Sequence, residues 1–222
     1  MEKKLNKVNC LLLLACVYCV FTVTQNLFEM KTIGTATFSL MGGGTVVSWI
    51  PFMMGDIISE IYGEKHNVKV FTIAGILNAV VVILAQFVIF LPGTYPEQNA
   101  AFNQIFSNGV RTAVASFVAF MIGNYINTHI MVTMRDKANA SGKDNGFLFF
   151  ARAVISTIVG QFFDNFIFLL IAFAPIGLSV FEMPMSNIIS ITITGTLLES
   201  GIESCLVPFI TRPITNKLKK LS

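Results

Sequence analysis

Residues 48–69 read SWIPFMMGDIISEIYGEKHNVK. The stretch begins as an apolar helix, holds Asp56 and Glu60 one helical turn apart, and breaks at Tyr62-Gly63 into a short charged turn. Side chains at i and i+4 lie on one helical face, so both carboxyls point the same way. An ionised carboxylate in hydrocarbon costs about 3 kcal/mol even on the lenient insertion scale. That face is therefore expected to line something polar while the rest of the helix meets apolar surroundings.

The composition places this stretch in a membrane. Of 222 residues, 54% are hydrophobic and 21 are Phe, while 12% are charged, against about 25% charged in soluble domains. The net charge of +3 lies in short connections and at the termini, not on one surface, which argues against a nucleic-acid partner. Cys10, Cys16, Cys19 and Cys205 sit in or beside apolar segments and suggest neither a disulfide framework nor a zinc ribbon. The Cys16-x-x-Cys19 pair has no His or acid neighbour and reads as small buried hydrophobes.

Apolar runs predict an all-α, polytopic bundle of six transmembrane helices in a single domain, at about 8–28, 45–62, 70–91, 109–132, 146–175 and 186–210. The basic start and LLLL at 11–14 resemble a secretory signal, and Leu13 to Cys16 resembles a lipoprotein cleavage box. The apolar run nevertheless continues through Phe21 and Val23, longer than a signal core, and reads as a retained first span. Residues 29–44 read as a connection whose Gly42-Gly43-Gly44 permits tight turns. Residues 92–108 read as an outer loop with a short interfacial helix at 100–106. Taken alternately, one set of connections holds Lys3, Lys4, Lys7, Lys65, Lys69, Arg135, Lys137, Lys143, Arg212, Lys217, Lys219 and Lys220; the other holds Lys31. The positive-inside rule then puts both termini in the cytoplasm.

At membrane depth the sequence carries Asp56, Glu60, Asp164, Glu199 and Glu203 against Arg111 and Arg152. Such an excess of acids calls for protonation, a cationic substrate, a bound cation or water. A small-then-polar device recurs as Gly55-Asp56-x-x-Ser59, Gly123-Asn124-x-x-Asn127 and Gly160-Gln161-x-x-Asp164, which suggests a shared central cavity. Plainer roles stand beside these: Asn124, Asn127 and Gln161 as interhelical hydrogen bonders, Glu60 as a partner of Lys65, Arg111 at headgroups, and Arg152 in a salt bridge. His66 and His129 lack spaced partners, and no H-E-x-x-H, G-x-S-x-G or Walker sequence occurs. No catalytic set, metal or cofactor is expected.

The motifs resemble the queuosine precursor transporters, formerly the vitamin uptake transporter family. The likeness rests on Asp56 and Glu60 followed by Tyr62-Gly63-Glu64-Lys65, on Arg111 with Ala115 to Phe120 and Gly123, and on Arg152 with Ser156-Thr157, Gly160-Gln161, Asp164 and Phe168. It covers about residues 50–208. Asn124 and Asn127 stand where the family commonly has Gln and Asp, and Glu199 where many members have Lys. The resemblance implies import of a 7-deazaguanine, such as the 7-cyano or 7-aminomethyl form or queuine. One carboxylate can accept two adjacent N–H donors of such a base, and Glu199 would suit a protonated amine. The binding set expected on this basis is Asp56, Glu60, Arg111, Asn124, Arg152, Gln161, Asp164, Glu199 and Glu203, with a purine-like small molecule as substrate and the lipid bilayer as surroundings. Proton coupling through Glu199 or Glu203 is an open option. The alternatives are a substrate-binding subunit of an ATPase-energised transporter, and a membrane scaffold or enzyme that moves no substrate.

Overall fold

A computed structural model describes residues 2–29, 31–34, 39–106, 109–142, 145–176 and 182–221. The chain forms α1 (Glu2–Phe28), a hairpin of β1 (Thr32–Gly34) and β2 (Ser39–Gly42), then α2 (Thr45–Tyr62), α3 (Glu64–Ile89) and α4 (Pro96–Phe106). It continues as α5 (Gly109–Ala140), α6 (Gly146–Phe173), α7 (Met185–Leu206), a π-helical segment (Val207–Thr211) and α8 (Arg212–Leu221). The hairpin is antiparallel and pairs Thr32 with Gly42 and Ile33 with Met41.

Five described stretches are long and apolar enough to cross a membrane: Lys7–Phe28, Glu64–Ile89, Val114–Ala140, Gly146–Phe173 and Met185–Lys219. The protein is a multi-pass helical membrane protein. α3 shows why such helices need lipid, since Ile73, Ile76, Val80, Ile83 and Phe87 all face outward. The remaining expected span, α2, is shorter and more polar, and it is wrapped by α1, α3, α5, α7 and α8. Every residue from Pro51 to Glu60 is buried. The surrounding helices thus take the place of lipid around its two acids. Met53, Ile57 and Ile58 of α2 join Tyr18 of α1, Phe71 and Ala74 of α3 and Phe120 of α5 in the main apolar cluster.

Several boundaries differ from the sequence expectation. The charged run after α2 is not a loop: Gly63 alone makes the turn, at φ 85, and Glu64 to Lys69 form the start of α3. Only glycine adopts that backbone at low cost. α5 extends to Ala140, so Arg135 and Lys137 lie on a helix and not in a connection; Lys143 lies outside the described residues. The Arg135 side chain turns back to the Ser59 and Glu60 carbonyls and satisfies the end of α2. The Asn145 side chain accepts from Phe147 and Leu148 N–H, each at 3.0 Å, and starts α6. The 29–44 connection holds the hairpin, and the outer helix begins at Pro96.

The last span ends in the π segment because Pro208 has no N–H to give. Beyond it, the polar C-terminus forms α8 and does not leave the bundle, with Ile214 and Leu218 packed on the main cluster.

Candidate functional site

The recurring glycines explain how polar side chains reach the bundle interior. Where α5 crosses α6, a Cβ on Gly123 would stand 2.7 Å from the Asp164 Cβ, and a Cβ on Gly160 would stand 2.7 Å from the Asn127 Cβ. Each glycine thus receives the polar residue four positions beyond the other glycine. The helices meet backbone to backbone, and Asn124, Asn127, Gln161 and Asp164 flank the contact. Gly55 plays the same part in α2, where a Cβ would lie 3.2 Å from the Asn67 amide and 3.5 Å from the Tyr18 ring.

The polar groups fall into two tiers. The outer tier is a cavity among the ends of α1 and α2 and the middles of α5, α6 and α7, open to water over about 40 Å³. Asp164, Glu199 and Glu29 line it together with Asn165, Phe120 and Phe168. Among the described residues no Lys or Arg lines it. Glu199 accepts from the Ser48 hydroxyl at 2.5 Å through Oε1 and from the Asn165 amide at 2.9 Å through Oε2. Glu29 accepts the Gly44 N–H at 3.0 Å through Oε2. Burial first, and then the Glu199 carboxylate, push the Glu29 carboxyl up to about 7 in spite of that hydrogen bond. The Asp164 carboxyl lines the cavity, yet takes no hydrogen bond from any described residue.

Phe120 lines this cavity, and Tyr18 packs against it edge to face with centroids 6.1 Å apart. The Tyr18 hydroxyl donates to Asn124 Oδ1, and the Asn124 amide donates to the Phe120 carbonyl at 2.9 Å.

Three polar groups form the inner tier. Asp56 accepts from the Asn127 amide at 3.2 Å, while its second oxygen is buried without a hydrogen-bond partner among the described residues. Glu203 accepts from the Thr157 hydroxyl at 3.0 Å and from the Gln161 amide at 3.3 Å, and the Gln161 carbonyl accepts from Ser200 at 2.7 Å. The buried Glu60 carboxylate pairs with Arg152 at 2.9 Å and with Lys219 of α8. This network ties α2, α6 and α8 together.

Asp164 and Glu199 are therefore the expected site residues that the structure brings to the cavity wall. Asn124 lies directly beneath it, and Asp56, Glu60, Arg152, Gln161 and Glu203 form the tier below. Arg111 stands apart from both: its guanidinium donates to the Ile171 carbonyl at 2.7 Å and the Ala174 carbonyl at 3.0 Å, and so holds the C-terminal end of α6. Glu29, Ser48, Asn165, Tyr18 and Lys219 were not expected in either tier. Ser48 lies two turns before Asp56, so helical spacing pointed to it, whereas Asn165 directly follows Asp164 and no helical spacing marked it. Nothing local marked Tyr18 or Lys219. Among the described residues no group of three or more His, Cys, Asp or Glu is arranged to hold a metal ion.

Residues 42–212 match the family described as "Putative vitamin uptake transporter". The matched span runs from the end of β2 to the start of α8, and so leaves out α1 with Tyr18 and Glu29, and Lys219. No curated protein and no solved structure matches the chain.

Proposed function

The chain belongs to the vitamin uptake transporter family, and from that premise we propose that it imports a queuosine precursor, a 7-deazaguanine in its 7-cyano, 7-aminomethyl or queuine form, for tRNA modification. In this reading α1, α2, α3, α5, α6 and α7 span the cell membrane as one domain with both termini in the cytoplasm. The observation that carries the reading is the Asp164 carboxyl, which lines the cavity and takes no hydrogen bond among the described residues. A deazaguanine presents adjacent ring N–H and amino donors, and a carboxylate accepts both at once. Phe120 and Phe168 offer faces to the flat ring.

The cavity admits water over about 40 Å³. In this reading the substrate enters between the ends of α1 and α2 on one side and α6 and α7 on the other, all of which line it. In this reading the Tyr18, Asn124 and Phe120 contacts and the Glu60, Arg152 and Lys219 group lie on the substrate's way to the cytoplasm. Inward release then requires that group to separate. Where transport is coupled to protons, Glu199 and Glu203 are placed to carry them, one in each tier.

The test uses a cell unable to make the precursor, supplied with each candidate in turn. The wild-type chain is expected to restore queuosine in tRNA with at least one of them. Asp164→Asn is expected to abolish restoration at equal membrane abundance. Unchanged restoration by Asp164→Asn would remove the assignment.

A further inference from the structure

Gly42, Gly43 and Gly44 read in the sequence as a turn, and the structure gives them a second purpose. A Cβ on Gly42 or on Gly44 would overlap the Glu29 carboxyl, and one on Gly43 would overlap the Phe28 carbonyl. The three positions form a cradle in which the end of α1 presses its carboxylate against the start of α2. The Gly44 N–H donates to Glu29 Oε2 there, and the Gly43 N–H donates to the Lys31 carbonyl at 2.6 Å. The cradle sets the carboxylate in the wall of the cavity that holds Asp164 and Glu199.

The cavity around it is rich in acceptors. Besides the three carboxyls, Gln25 Oε1, one turn back on α1, is buried without a hydrogen-bond partner among the described residues, and Gln25 lines the same space. Asp164 likewise lacks a donor among the described residues. A neutral planar base satisfies one carboxylate with paired N–H donors, and further acids gain nothing from it. A protonated amine brings a charge and three donors, which is what the remaining acceptors lack.

We infer that Glu29 is a substrate-positioning residue that selects substrates carrying a protonated amine, and that the glycine triplet exists to hold its carboxylate at the cavity wall. The inference rests on the cavity being the substrate site. It adds to the site a residue outside the matched span 42–212. The groups facing Glu29 support a charge-sensitive role: Glu199 from α7 and Asp164 from α6 are acids, the Gly44 N–H from the start of α2 is the one donor to it among the described residues, and Gln25, Asn26, Ser116 and Phe120 are uncharged. With its carboxyl held up at about 7, Glu29 is close to half protonated at neutral pH. An arriving cation favours the ionised form and expels that proton.

Calorimetry on the purified full-length chain in detergent separates the possibilities, with 7-aminomethyl-7-deazaguanine, the neutral 7-cyano form and benzylamine as probes. Glu29→Gln is expected to weaken binding of the aminomethyl form about tenfold or more and to leave the cyano form within about twofold, which also reports an intact fold. Glu29→Asp is expected to recover most of the loss. Binding of the aminomethyl form near pH 7 is expected to release protons, measured in buffers of differing ionisation enthalpy, and Glu29→Gln is expected to reduce that release. Equal weakening of both deazaguanines, or of neither, would overturn the inference and leave the deazaguanine reading standing. Binding of benzylamine that depends on Glu29, with neither deazaguanine bound, would do the reverse. No binding of either amine to the wild-type chain would also overturn it.

Discussion

Glu60 and Arg152 show most directly how single residues hold this interior together. The Glu60 side chain is 0% exposed and that of Arg152 1%, whereas Lys219 is 45% exposed. Removing one member of a buried pair strands the other charge at a cost of about 3–5 kcal/mol, while an exposed partner contributes about 1 kcal/mol or less. Arg152→Ala is therefore expected to lower the melting temperature in detergent sharply, and Lys219→Ala only slightly. In the cycle with Glu60→Gln the losses should fall well short of additive, because the two share one interaction. Strict additivity would mean that the pair contributes nothing. Glu29 yields a prediction in pH. Its carboxyl titrates at about 7 in the folded chain against 4.5 when unperturbed, so folding favours the protonated form. That contribution is complete below about pH 4.5 and is lost as the pH rises through 7. Thermal unfolding across pH 5 to 8 is expected to show a smaller decline for Glu29→Gln than for the wild type.

Among the elements, the α5 and α6 pair depends on having no side chain at two positions. A Cβ at Gly123 or Gly160 would lie closer than carbon atoms tolerate, and the neighbours it meets are the Asp164 and Asn127 Cβ atoms and opposing backbone carbonyls, none of which can swing aside. Gly123→Ala and Gly160→Ala are each expected to cost about 1–3 kcal/mol by overpacking. Both should also impair uptake, because the displaced residues are the polar ones beside the cavity and the Asp56 carboxyl. Loss of uptake without any drop in melting temperature would contradict this account of the crossing. Gly201 is the contrasting case, since a Cβ there would meet nothing within 4 Å, and Gly201→Ala is expected to be silent in both assays.

The molecule as a whole is a bundle in which α2, the helix that carries Asp56 and Glu60, is wrapped by other helices. α2 keeps Asp56 and Glu60 out of lipid because other helices surround it, and the apolar faces of α3 and its neighbours meet the bilayer instead. The proposed orientation places Lys31 outside and Lys137 and Lys217 inside. Single cysteines at these positions, in a chain freed of Cys10, Cys16, Cys19 and Cys205, are expected to react with an impermeant thiol reagent on opposite sides of the membrane. Labelling of all three from one side would refute the orientation.

Much of this was legible in the chain itself. Apolar periodicity and the cost of a charge in hydrocarbon are local properties, so the sequence determined that the protein is a helical membrane bundle, placed α2 at Thr45–Tyr62, and marked its acids as facing away from lipid. The family was likewise readable from short motifs, and the match over residues 42–212 agrees with it. The partner of each acid was decided by tertiary structure alone. Ser48 meets Glu199 across 151 positions and Lys219 meets Glu60 across 159, and no local spacing encodes such pairs. The same holds for Arg111, whose position suggested the membrane boundary but whose Nε and Nη2 donate to the end of α6, and for the contacts of Tyr18 with Phe120 and Asn124. Periodicity fixes the face on which a side chain stands; which helix fills the space in front of it depends on how the whole bundle packs.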